Sequence, residues 1–113
     1  MSDQQLLELA AKAAGIGPVL CYESARNCLR IGRRSSYRLW NPLDDDSAAL
    51  SLARSLGICI QFVPDCDTVQ VYQEREFTAE PFNVHVAGLG DIETRRIITQ
   101  AAAEIGKAMQ EKH

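Results

Sequence analysis

Trp40-Asn41-Pro42-Leu43-Asp44-Asp45-Asp46-Ser47-Ala48-Ala49-Leu50, running on through Leu52, Ala53 and Leu56 to Gly57, is the stretch around which the chain is organised. It reads as an aromatic strand end, a proline turn, an acidic helix start, a short amphipathic helix and a glycine stop. Pro42 fits the first helical turn, where its missing N–H has no intrahelical partner in any case. Asp44, Asp45 and Asp46 fall where the helix macrodipole and unpaired amides favour negative charge. Ala49, Leu52, Ala53 and Leu56 follow i, i+3, i+4, i+7, one apolar stripe for burial. Gly57 ends the helix, and Ile58 enters a strand.

Upstream, Ser2 and Gln5 make a capping-box pattern for a helix over 3–14, which Gly15 stops. Leu6, Leu7, Ala10, Ala13 and Ala14 give it one apolar face. After the Gly15-Ile16-Gly17-Pro18 turn, Val19 to Glu23 reads as a strand. Ser24 to Asn27 is turn chemistry, Cys28 to Ile31 an antiparallel partner, and Tyr37 to Trp40 a third short strand. Alternation turns Arg38 away from Tyr37 and Leu39.

Downstream, Ile58 to Val63 and Thr68 to Gln73 form a hairpin around Pro64-Asp65-Cys66-Asp67. Glu74-Arg75-Glu76 is a charged connection, and Phe82 to Ala87 a further strand after the Glu80-Pro81 break. Asp91 is read as the N-cap of the last helix, with Ile97, Ile98, Ala101, Ala102, Ile105, Ala108 and Met109 along one side. Gly106 among the alanines is read as permitting close packing against a strand or helix. The order is α-β-β-β-α-β-β-β-α: an α+β domain spanning 1–113, with three helices and one antiparallel sheet of about five to six short strands.

At 113 residues there is room for one core, and a net charge of -3 argues mildly against general polyanion binding. The N-terminus has no basic n-region or apolar h-region, so a cytoplasmic location and no membrane partner are expected. The apolar run Ile58 to Val63 is too short to span a bilayer. Cys21 and Cys28 stand seven positions apart, as do Cys59 and Cys66, wider than a tight zinc knuckle uses. Free thiols are the leading reading, with a disulfide or a metal as the alternatives.

Two segments together resemble small bacteriophage and prophage proteins of unknown function. One is Trp40-Asn41-Pro42-Leu43 with Asp45-Asp46, Ala49-Leu50 and Leu52-Ala53. The other is the closing helix, Thr94-Arg95-Arg96 with Ala101-Ala102-Ala103-Glu104-Ile105-Gly106-Lys107-Ala108-Met109. Proteins of that kind tend to carry glycine and an aspartate where this chain has Ser47 and Ala48, which argues against a shared metal site in the acidic turn. The resemblance implies a phage or prophage gene expressed in the bacterial cytoplasm, and brings no activity with it.

Arg26, Arg30, Arg33, Arg34 and Arg38 put five arginines into thirteen residues without one acid. On a hairpin they would form a positive strip able to meet an acidic protein or phosphates. Tyr37 and Trp40 beside it are able to stack on bases, although Trp40 beside a proline turn is read first as a core plug. These residues, with Tyr37, are the candidate binding site; solvated surface is the plain alternative. The acidic triplet lacks the spacing and glycine of a calcium loop. His85 is read as a surface-facing strand residue; an enzymatic reading needs it beside a cysteine. No phosphate-binding glycine loop is present. The expectation is therefore a protein that is not an enzyme, with no cofactor and no metal, that binds a host or phage protein. Inhibition of a bacterial defence system is one concrete form of it. A nucleic-acid-binding accessory factor using 26–38 is the alternative, and self-association stays open.

Overall fold

The first helix, α1 (Asp3–Ala14), begins as its sequence dictates: the Ser2 side chain accepts from the Gln5 backbone N–H, and the Gln5 side chain returns to Ser2. Gly15 closes it in the left-handed conformation. In the computed structural model, which describes residues 1–74 and 81–111, three strands follow: β1 (Val19–Glu23), β2 (Cys28–Arg33) and β3 (Ser36–Trp40). Then come α2 (Asp46–Leu56), β4 (Cys59–Val63), a 3-10 turn (Pro64–Cys66), β5 (Thr68–Glu74), β6 (Pro81–Gly88) and α3 (Asp91–Glu111). The expected order of elements is thus observed. The Glu74-Arg75-Glu76 connection lies outside the described residues beyond Glu74, as does Glu80 of the break before Pro81.

The single sheet expected from the sequence is corrected: the strands form two separate three-stranded antiparallel sheets, β1-β2-β3 and β4-β5-β6. Each middle strand supplies the burial that a lone hairpin lacks. In the first sheet Leu29 and Ile31 of β2 point inward; in the second Val69 and Val71 of β5 do. Packing of α1 is on β1 and β2, packing of α3 is on β5 and β6, and the largest interhelical contact is α1 against α3. The helices therefore join the sheets, and one core runs through Leu7, Leu29, Trp40, Leu52, Val71 and Ile98.

Gly106 explains the closeness of α1 and α3. An added Cβ there would overlap the Leu9 carbonyl oxygen and lie 2.8 Å from its carbon. The burial on α3 runs through Ile97, Ile98, Thr99, Ala101, Ala102, Ala103 and Gly106, while Ala108 and Met109 are exposed, contrary to the expected stripe. Asp91 is the first helical residue, and the Gly90 carbonyl before it accepts from the Thr94 backbone and hydroxyl.

Pro42 is corrected as well. It is fully buried in a turn over 41–44, in which the Asp44 and Asp45 N–H groups donate to the Asn41 carbonyl. The helix starts later, capped by Asp45, whose carboxylate accepts from Ser47 N–H. Trp40 is a core residue at 6% exposure.

The two motif segments meet in space. Arg95 donates from Nε to the Leu43 carbonyl at 3.1 Å and from Nη1 to Asp46 at 2.8 Å. Arg96 donates to Asp3, which also accepts from Asn27, and Asn41 donates to the Asn27 carbonyl. Asn27 holds a left-handed turn conformation (φ 49°) and accepts from the Tyr22 hydroxyl. The beginnings of α1, α2 and α3 and the β1–β2 turn are tied by this one polar network. The Asn27 and Arg96 bonds hold the Asp3 carboxyl below the usual carboxylate range. The acidic triplet is thus a turn residue, a cap and an ion-pair partner. Among the described residues no cluster of three or more His, Cys, Asp or Glu is placed to hold a metal, and no helix is long and apolar enough to cross a membrane.

Candidate functional site

The alternation of β2 sets the site. Because Leu29 and Ile31 point into the core, Arg30 must point out. Pairing places Cys21 and Leu39 on either side of Arg30, Glu23 opposite Cys28, and Tyr37 opposite Gly32. Gly32 is required there: its φ is +128°, and a Cβ would come within 2.7 Å of the Ser36 carbonyl oxygen. The Arg30 guanidinium lies over the Tyr37 ring, 5.0 Å from its centroid. Leu20, Cys21, Arg30, Arg34 and Tyr37 surround a shallow hollow of about 200 Å³. Leu20, Tyr37 and Leu39 are 37%, 43% and 43% exposed, large apolar groups on a bare sheet face.

The five arginines do not form one strip. Arg26 and Arg30 both bond Glu23, at 2.5 and 3.0 Å. Those bonds, Arg26 first, hold the Glu23 carboxyl below its ordinary range and raise both guanidinium values. Arg34 reaches the hollow with Tyr37, and Arg33 is exposed at the hairpin end opposite Ser36. Arg38 pairs with Ile31, on the opposite face of the sheet, as the alternation requires. Sequence reasoning missed Glu23, since the acid-free window began after it; it sits three residues before Arg26 and beside Arg30 across the strand pair.

Arg38 belongs to a second feature. A groove of about 400 Å³ separates β3 from α2; Arg38, Leu39 and Trp40 form one wall, and Asp45, Ser51 and Arg54 stand on the other. Ala14 and Ile16 close its floor. Arg54 was not singled out from the sequence, because a lone arginine on a helix surface carries no pattern of its own.

His85 is on the helix-facing side of β6, opposite Val71, and its Nε2 lies 2.9 Å from Asn83 Oδ1. This corrects the surface-facing expectation. Burial pushes its pKa down, partly offset by Glu104. Cys59, opposite Tyr72, projects from the other face of the same sheet, and Cys21 and Cys28 belong to the first sheet. Cys66 lies exposed in the 3-10 turn, and the hydrogen bond described for His85 goes to Asn83. All four cysteines are free thiols, and burial raises the Cys28 pKa. Cys59 and Cys66 lie at opposite ends of the β4–β5 hairpin, which separates them further than a disulfide spans.

No family model, curated protein or solved structure matches this chain.

Proposed function

We propose that the protein is an accessory binding protein of phage or prophage origin that docks a host or phage protein through the outer face of its first sheet. Inhibition of a bacterial defence system is one concrete form of such docking. The observation that supports it most is the bare face itself: Leu20, Tyr37 and Leu39 exposed around the Arg30–Tyr37 stack. Tyrosine and arginine amid aliphatic contact area is the composition of protein-binding hot spots. Over 19–40, five arginines face one glutamate, a balance of +4 on a chain of net -3, which suits an acidic partner surface.

Nucleic acid is the second reading, carried by Arg33 and Arg34 at the hairpin end. Against it, Glu23 occupies two of the five arginines and places a carboxylate where a phosphate would sit. Fluorescence anisotropy of single- and double-stranded oligonucleotides at low and moderate salt separates the readings. The protein-docking proposal expects no salt-sensitive binding. Tight binding abolished by Arg33→Ala with Arg34→Ala would replace it with the nucleic-acid reading.

A further inference from the structure

We propose that the groove between β3 and α2 takes an extended acidic peptide segment, which adds to β3 as a fourth strand of the first sheet. Among the described residues β3 pairs with β2 alone, so its outer edge is open. Side chains of consecutive strand residues point to opposite faces. Yet Arg38, Leu39 and Trp40, three in succession, all line the groove. The groove therefore runs along the backbone edge, where unpaired N–H and C=O groups are offered to an incoming chain. The five residues of β3 extend about 17 Å, enough for a segment of five or six residues.

The opposite wall suits such a segment. Ala48 of α2 and Ile16, both half-buried, present apolar surface for alternate side chains, backed by the buried Leu52. Arg38 from the strand and Arg54 from the helix both line the groove, and neither guanidinium has a hydrogen-bond or ion-pair partner among the described residues. The one acid lining the groove, Asp45, has a carboxylate oxygen engaged with Ser47 N–H at 3.0 Å in capping α2. Two guanidinium groups against one capping carboxylate leave a positive balance beside an open strand edge, which selects a carboxylate-bearing peptide. Charge-assisted, bidentate pairing fixes its position, and ladder bonds hold its backbone. This site lies across β3 from Tyr37, and Leu39 is the one side chain it shares with the outer face, so Tyr37→Ala separates the two.

The test uses the full chain and a fluorescein-labelled, end-blocked six-residue peptide alternating valine and glutamate, followed by anisotropy. Saturable binding is expected, weakened about tenfold by Arg38→Ala and by Arg54→Ala, each removing a charge-assisted contact. Tyr37→Ala leaves it unchanged. Both arginines are exposed, so the variants should retain the wild-type circular dichroism spectrum. A peptide with N-methyl groups on alternate amides should not bind, and one with glutamine for glutamate should bind weakly. Absence of saturation at millimolar peptide, or equal affinity for the N-methylated peptide, overturns the proposal. Benzoate competing as well as the peptide would make the groove a small-anion cleft instead.

Discussion

The two sheets are built alike and finished differently. Each has three antiparallel strands, an apolar middle strand and one face against the helices. The bare face of the first carries an arginine stacked on a tyrosine, a glutamate bridging two arginines, and exposed leucines. The second presents Gln61 bonded to Gln70 across the strands, with Val84 and Val86 beside them. Its described strands and turns, 59–74 and 81–88, carry three acids and no lysine or arginine, a balance of -3, against +4 over 19–40. Equal architecture with opposite charge shows that burial sets the inner faces alike, while the outer faces are free to diverge. Charge, rather than exposed apolar area, is what distinguishes the outer face of the first sheet, and the proposed docking rests on that difference.

The strongest way to break the comparison is through the shared core. Leu29→Ala removes a fully buried side chain from the middle of the first sheet and should cost about 2–5 kcal/mol. Because one core spans both sheets, far-UV circular dichroism and Trp40 fluorescence should report one coincident unfolding transition. Two separate transitions would make the sheets independent units.

Next is Gly106→Ala, which drives a methyl group into the Leu9 carbonyl at the helix pair joining the sheets. Overpacking of this kind costs about 1–3 kcal/mol even though alanine is the better helix former. A urea midpoint equal to wild type would refute the tight joint. A smaller effect follows from Arg95→Ala, which leaves the Leu43 carbonyl without its donor and Asp46 unpaired. The melting temperature should fall by several degrees, and Arg95→Lys should restore only part, since a single ammonium cannot copy the two-point contact.

The smallest effect distinguishes the sheets by pH. His85 has its pKa pushed down by burial against α3, so the unfolded chain binds its proton more readily than the folded one. Its share of stability is complete above the unfolded histidine value, about 6.5, and declines as pH falls through that value toward the folded one. His85→Gln should flatten this segment of the urea-midpoint profile; an unchanged slope would remove His85 as its source.

Much of the local structure was legible in the chain. The Ser2–Gln5 box and the stops at Gly15 and Gly57 depend on neighbouring residues, and all three stand as read. Strand existence and hairpin pairing were legible for the same reason. The division into two sheets was not, because no local pattern records that β3 and β4 fail to pair across α2. Flanking valines make His85 look outward-facing from the sequence. The register opposite Val71, and the approach of α3 through small residues, turn the valines outward and the histidine in. Pro42 suits a first helical turn by sequence, yet the helix begins four residues later, because Asn41 caps a turn of its own, its Oδ1 accepting from Leu43 N–H. The arginines were legible as a group and not as an arrangement: strand alternation separates Arg38 from Arg30, and Glu23 claims two of the rest.

The most direct measurement is capture from bacterial lysate with three baits: wild type, Leu39→Asp on the bare face of the first sheet, and Val86→Asp on that of the second. Both positions are exposed, at 43% and 60%, so both variants should unfold at the wild-type urea midpoint. One stoichiometric protein should be retained by wild type and by Val86→Asp and lost with Leu39→Asp. Retention by Leu39→Asp together with loss in Val86→Asp would assign binding to the wrong sheet and contradict it.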